Sequence, residues 1–288
     1  MNKIKLAVFH AFFTQKGGGE KLIFDLRNNF NADLFAGAIH FKKYDPNSTD
    51  SFSQELFNTK YKLTYLHKDI DTLLLRLIKR FIFFGFSPKI KKLLEYEAII
   101  FSGNVMFVQR RIKKLRDKFS ADAKPKLIIY CHTPPRNLTD QFESFINSAP
   151  KGLKTAYKLG GKFILREYIK DIKQADFVIT NSQNTHRRLL DYTGIDSTVI
   201  YPAVNTEKFK FISQQEFFLS YARLENMKRI PLLMEAFSRM PEKKLVICST
   251  GPLHSWVADQ IRKKNLTNIS FKGLVTDEIL VELVGNCL

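Results

Sequence analysis

The chain has 288 residues, 44% hydrophobic and 26% charged, a length that suits two medium domains and a composition that excludes a disordered chain. Its formal net charge of +18 favours anionic partners: nucleic acid, anionic lipid or phosphorylated small molecules. Cys131, Cys248 and Cys287 have no CxxC spacing, which argues against a zinc site and a disulfide framework and fits a reducing cytoplasm.

The charge is unevenly spread. The first 205 residues hold 34 basic and 19 acidic residues, against 12 and 9 in the remainder, and Lys60 to Lys118 alone carries 15 against 5. Met1–Lys5 runs straight into Leu6-Ala7-Val8-Phe9, too short for a signal-peptide core. No apolar run approaches the roughly 20 residues of a spanning helix, so a cytoplasmic location is expected.

The first predicted strand, Lys5–Phe9, leads into Lys16-Gly17-Gly18-Gly19-Glu20-Lys21, which opens a helix over Gly19–Phe30. Glycines allow close backbone approach, and a helix start offers free N–H groups to an anion, so Gly17, Gly18, Gly19 and Glu20 are candidates for a ligand crevice. A flexible turn is the competing reading, since Leu22 stands where a third fingerprint glycine would be. A strand follows at Asp33–Ala38. Asp69-Ile70-Asp71 looks like a metal-binding Asp-x-Asp pair, but it precedes an apolar helical run rather than ending a buried strand. Asp71 reads as a helix cap, and no metal site is expected. In the run Leu73–Phe84, Arg76, Lys79 and Arg80 form one basic stripe on an apolar cylinder, suited either to an anionic bilayer surface or to a core helix with one wet edge.

Strands at Ala98–Phe101 and Lys126–Tyr130 flank a helix over Val105–Phe119. The second strand ends in Cys131-His132-Thr133-Pro134-Pro135-Arg136. Ligands in open α/β sheets bind at the carboxyl ends of strands, which aims His132 and Thr133 at the crevice. Helices over Gly160–Gln174 and Asn184–Thr193 surround a strand at Phe177–Thr180. Asn181 and Ser182 follow that strand, as crevice lining or as a helix cap. After Thr198–Ile200, Tyr201-Pro202-Ala203-Val204-Asn205 reads as a connector, dividing the chain into residues 1–205 and 206–288.

The strand–helix series then restarts with strands at Phe217–Tyr221, Lys244–Cys248 and Ile269–Lys272. Helices are expected at Arg229–Arg239, Ser255–Asn265 and Thr276–Val284. Arg223 and Lys228 bridge the first of these strands and its helix, where a planar fork and a point charge can hold a diphosphate between them. Gly251 and Gly273 stand at the next two strand ends. Apolar strands alternating with helices predict two doubly wound, parallel α/β lobes. The second lobe has only three strand–helix steps, where such a sheet usually needs five or six strands, so it is expected to be incomplete.

The order Gly-Gly-Gly-Glu, Tyr-Cys-His-Thr-Pro-Pro-Arg and Ala-Arg-Leu…Lys-Arg resembles family 4 retaining glycosyltransferases of the GT-B fold, over essentially the whole chain from Lys5. The Cys-His-Thr-Pro string is most like the mannosyltransferase-like branch. The resemblance implies that Gly18 and Gly19 approach the donor diphosphate or the acceptor and that His132 sits beside the transferred sugar. It further implies that Arg223 and Lys228 neutralise the departing nucleoside diphosphate without a metal or other cofactor. The substrate implied is a GDP- or UDP-linked hexose, transferred to a glycan or polyprenyl-linked acceptor. The basic first lobe suggests peripheral contact with the inner membrane face; no nucleic-acid reading motif is present. The family's Glu-x7-Glu motif does not follow Gly273, and Glu278 and Glu282 come too early and too close together. A truncated chain with weak donor binding and low turnover is therefore expected. A non-catalytic remnant that still binds an acceptor or partner is the alternative.

Overall fold

A computed structural model of the protein describes residues 4–14, 16–68, 87–103, 107–119 and 124–288. The chain forms two compact units, Met1–Ala203 and Val204–Leu288. Each is described by itself.

Unit 1 is built on a seven-stranded sheet of order β3-β2-β1-β4-β5-β6-β7, in which every pairing is parallel. The strands are β1 (Leu6–Phe13), β2 (Asp33–Ile39), β3 (Leu63–Lys68), β4 (Ala98–Ser102), β5 (Lys126–Cys131), β6 (Phe177–Thr180) and β7 (Thr198–Val199). The connecting helices are α1 (Gly18–Phe30), α2 (Ser51–Leu56), α3 (Val108–Phe119), α4 (Phe142–Asn147), α5 (Lys154–Ile172) and α6 (Gln183–Thr193). Alternate strand residues enter two different apolar clusters. Ala7, Phe9, Phe101 and Ile129 pack in one, with Val108 of α3 and Tyr168 of α5. Val8, Leu34, Ile100 and Tyr130 pack in the other, with Ile23 and Phe24 of α1. A sheet buried on both faces explains why its strands read as continuous apolar runs.

The strand order reverses between β1 and β4, the point where successive connections leave for opposite edges of the sheet. The carboxyl ends of those two strands therefore splay their loops apart and leave a crevice.

Unit 2 carries a three-stranded parallel sheet of order β10-β9-β8, from β8 (Phe217–Ser220), β9 (Lys244–Ile247) and β10 (Ile269–Phe271). Its helices are α7 (Ile230–Ser238), α8 (His254–Lys263) and α9 (Asp277–Asn286). Leu245, Ile247 and Ile269 form one core with Met234 and Phe237 of α7 and Val257 of α8. Close packing also fixes α9. A Cβ on Gly285 would lie 2.7 Å from the Lys210 carbonyl oxygen, and the Gly285 carbonyl accepts from Ile212 N–H at 2.8 Å.

Several boundaries differ from the sequence expectation. β1 runs four residues past Phe9, through His10-Ala-Phe-Phe, because β2 pairs with it as far as Phe13 and β4 as far as His10. α5 begins at Lys154, six residues before the expected Gly160, since neither glycine of Gly160-Gly161 interrupts it. β3, α2 and α4 are short elements that were not expected from the pattern.

Candidate active site

His132 follows β5 immediately, and its surroundings are built by three adjacent strands. Ser102 closes β4, and its Oγ lies 2.8 Å from His132 Nε2. The same hydroxyl lies 3.2 Å from Nδ1 of His10, a buried residue in the extension of β1. On the far side of His10, Nε2 stands 3.9 Å from the carboxylate of Glu20 in the first turn of α1. Gly103 then turns away with φ +77°, and a Cβ there would sit 3.8 Å from the His10 ring, so the left-handed turn brings the chain over the imidazole. Glu20, His10, Ser102 and His132 thus form a chain of polar groups across the switch point of the sheet.

Burial holds the His132 imidazole down to about 4, from an ordinary 6.5; His10 lowers it further and Glu20 partly offsets both. His132 is therefore neutral at pH 7, with one ring nitrogen a donor and the other an acceptor. Ser102 has a single proton to give. With the single His10 proton on Nε2, the side that faces the Glu20 carboxylate, Nδ1 accepts from Ser102. The Ser102 oxygen then accepts from His132 Nε2–H, and His132 Nδ1 is left as a bare acceptor. The main chain behind the histidine is fixed as well. Thr185 Oγ1 donates to the His132 carbonyl at 3.4 Å, and Arg188 donates to Thr133 Oγ1 at 2.9 Å and to Asp140 at 2.6 Å.

Gly17 caps α1 with its backbone alone. A Cβ on Gly18 or Gly19 would meet nothing within 4 Å, so the first turn opens onto free space next to Glu20. Lys16, just before the glycines, is tied at 2.7 Å to Asp50, the residue that caps α2. Burial works against the Asp50 charge, but hydrogen bonds from Lys16, Ser48 and Ser53 outweigh it and hold the carboxyl below its usual range.

The remaining predicted residues of unit 1 divide differently. Ser182 is the cap of α6, accepting from Thr185 N–H at 3.2 Å while donating to Asn181 Oδ1, so its side chain is engaged in local structure. Cys131 is buried, its thiol pushed up by burial and 3.6 Å from the Tyr168 hydroxyl, which suits packing rather than nucleophilic chemistry. Arg76, Lys79, Arg80 and the Asp69–Asp71 pair lie outside the described residues. Among the described residues no cluster of His, Cys, Asp and Glu could hold a metal, and no helix is long and apolar enough to cross a membrane.

In unit 2, Arg223 and Lys228 stand on the loop between β8 and α7. Arg223 Nε is 3.7 Å from the Glu225 carboxylate, and Lys228 is exposed in a single 3₁₀ turn, Asn226–Lys228. The loop is anchored by Leu224, whose side chain is fully buried. Leu224 N–H donates to the Thr250 carbonyl at 3.1 Å, and its own carbonyl accepts from Leu253 N–H at 2.9 Å. Gly251 permits this approach: a Cβ there would lie 2.5 Å from the Leu224 carbonyl oxygen. Gly251 therefore shapes the basic loop from beneath. Gly273 turns the chain after β10 with φ +67°, with a Cβ position 3.9 Å from His254 Nε2. A groove of about 690 Å³ opens instead among Phe217, Lys244, Val246 and Asn268, toward the amino ends of the same strands and away from the basic loop.

Sequence reasoning missed His10 and Ser102. His10 lies just beyond the expected Lys5–Phe9 strand; a lone polar residue between apolar stretches was the available signal.

Comparison with known proteins bears on this arrangement. Residues 50–208, more than half of the chain, match Glycosyltransferase Family 4. The α-1,3/1,6-mannosyltransferase ALG2 of Candida albicans is 30% identical over 139 residues, 43% of this chain but only 29% of that protein. Anabaena HepE, solved with UDP and glucose, superposes with a TM-score of 0.65 over 98% of this chain and 72% of its own, at 15% identity. A variant of S. aureus TarM, solved with fondaparinux, α-GlcNAc-glycerol and UDP, superposes at 0.63 over 97% and 79%, at 13% identity. These likenesses establish the GT-B fold. With that fold and the family match across the stretch that contains Ser102, His132 and Arg188, the chain belongs to glycosyltransferase family 4.

Proposed function

We propose that the protein transfers a hexose, mannose-like in character, from a GDP- or UDP-linked donor to a glycan or polyprenyl-linked acceptor, with retention of anomeric configuration, at the cytoplasmic face of a membrane. The observation that carries this reading is His132: a neutral imidazole at a strand end, oriented through Ser102 by His10, with an open helix start nearby. A bare Nδ1 suits it to accept from a sugar hydroxyl. The family match and the nucleotide and mannosyl chemistry named for the relatives support the donor class.

In this reading the acceptor hydroxyl oxygen bonds to the anomeric carbon as the bond from that carbon to the diphosphate oxygen breaks. The electron pair departs with the nucleoside diphosphate, which takes up the proton of the acceptor hydroxyl. Arg223 and Lys228 neutralise that charge, a preorganised electrostatic contribution that asks for no metal. His132 holds the sugar. The first turn of α1, at Gly18 and Gly19, takes an anionic group of donor or acceptor with its free N–H groups.

The test is a panel of UDP-glucose, UDP-galactose, UDP-N-acetylglucosamine and GDP-mannose, each labelled in the sugar, offered with soluble glycan and polyprenyl-phosphate acceptors. Transfer with an α-linked product from an α-linked donor is expected. Nucleotide or acceptor binding without transfer would make the protein a binding module, and binding of neither would overturn both readings.

A further inference from the structure

The outward face of α5 has a composition that the transferase reading does not use. Gly161 is buried against α4, where a Cβ would lie 2.6 Å from the Phe142 ring, so that side of the helix faces inward. At 3.6 residues per turn, positions two before and two after Gly161 point almost directly away from it. Those positions are Leu159 and Phe163, 64% and 61% exposed, one helical turn apart. The centre of a water-facing helix surface is ordinarily polar; here it is an aliphatic and a phenyl side chain.

Charge around the pair is of one sign. Lys158, Lys162, Arg166 and Lys170 are all exposed, and every exposed charged residue from Lys151 to Lys173 is basic. The two acidic residues of the helix, Glu167 and Asp171, are buried and satisfied by Arg110, with Lys170 also bonded to Glu167 at 2.8 Å. Two copies of such a face would repel each other. An apolar centre ringed by cations gains instead from a phase with anionic heads and an apolar interior.

We propose that α5 docks unit 1 onto an anionic bilayer, with Leu159 and Phe163 entering the head-group region and the surrounding lysines and Arg166 pairing with lipid phosphates. This adds a surface, and its test is read without turnover, so its failure and that of the transferase reading are separable.

The test is co-sedimentation of the full chain with phosphatidylcholine vesicles, with and without phosphatidylglycerol, over a salt series. The wild type should partition onto the anionic vesicles alone, less so as salt rises. Leu159→Ser with Phe163→Ser should lower partitioning about tenfold or more, since two large apolar side chains lose their burial. Lys158→Glu with Lys162→Glu should flatten the salt dependence. All four positions are exposed, and circular dichroism checks that the variants fold. Equal binding of wild type and the Leu159/Phe163 variant would overturn the proposal, as would preferential release of the protein by single-stranded RNA. A wild-type dimer on gel filtration that becomes monomeric in that variant would overturn it too, assigning the face to a second copy.

Discussion

Two imidazoles share one hydroxyl at the switch point of unit 1, so removing that hydroxyl uncouples them. Ser102→Ala is expected to leave one buried and one half-buried ring nitrogen without their partner, at a cost of about 1–3 kcal/mol of stability. Turnover should fall by about tenfold or more while nucleotide affinity stays unchanged, because the proposed diphosphate grip, Arg223 and Lys228, lies in unit 2. Titration calorimetry beside a transfer assay separates the two effects, and equal loss in both would refute the positioning role. The depressed His132 value also sets a pH dependence. Unfolded, this group takes up its proton near pH 6.5; folded, near 4. Between those values the unfolded chain holds more protons, so its contribution is complete above about pH 6.5 and is lost as pH falls towards 4. Asp171 acts with the opposite sign. Burial raises it from 3.8 to about 6, so its contribution is present below about pH 3.8 and lost as pH rises through 6. The His132 share is therefore read as a difference: His132→Gln should flatten the acid limb of Tm against pH, and an unchanged limb would refute it.

At the scale of elements, two glycines are contact points between backbones and rings. Gly251→Ala places a methyl into the Leu224 main chain, so the loop bearing Arg223 and Lys228 must move. Nucleotide affinity should drop about tenfold, with a loss of roughly 1–3 kcal/mol in stability, measurable by titration calorimetry and denaturant unfolding. Gly161→Ala drives a methyl into Phe142, loosening α4 from α5. A destabilisation of roughly 1–3 kcal/mol is expected with nucleotide affinity unchanged. The central strands were legible in the sequence because a sheet covered on both faces favours apolar residues at successive positions, and Ala98–Phe101 can be little else. His132 was legible because it directly follows such a run. His10 was not, since its partner Ser102 is 92 residues away and only the β1–β4 pairing brings them together. For Ser182 the sequence left crevice lining and helix cap both open, and the support that Gly251 gives the basic loop was hidden for a related reason: a residue after a strand looks the same whether it faces ligand, caps a helix or supports another loop.

For the molecule as a whole, the described core of unit 2 is one apolar cluster around three strands, whereas unit 1 has a cluster on each face of seven. Calorimetry should show two transitions, unit 2 melting first, and on the proposal that Arg223 and Lys228 grip it, a bound nucleoside diphosphate should raise the lower one, because ligand binding stabilises the unit that holds the ligand. A single transition unmoved by nucleotide would contradict this. The charge divides along the same line, with most of the +18 in the first 205 residues. The junction of β1 with β4 has a consequence of its own. His10 pairs in register with Ser102, and a slip of one residue would send the imidazole to the opposite side of the sheet. Such a molecule would keep an apolar strand between apolar neighbours and pass most tests of foldedness. It would still lack the support of His132, so the specific activity of a preparation also counts the molecules whose first strand has settled in the right place.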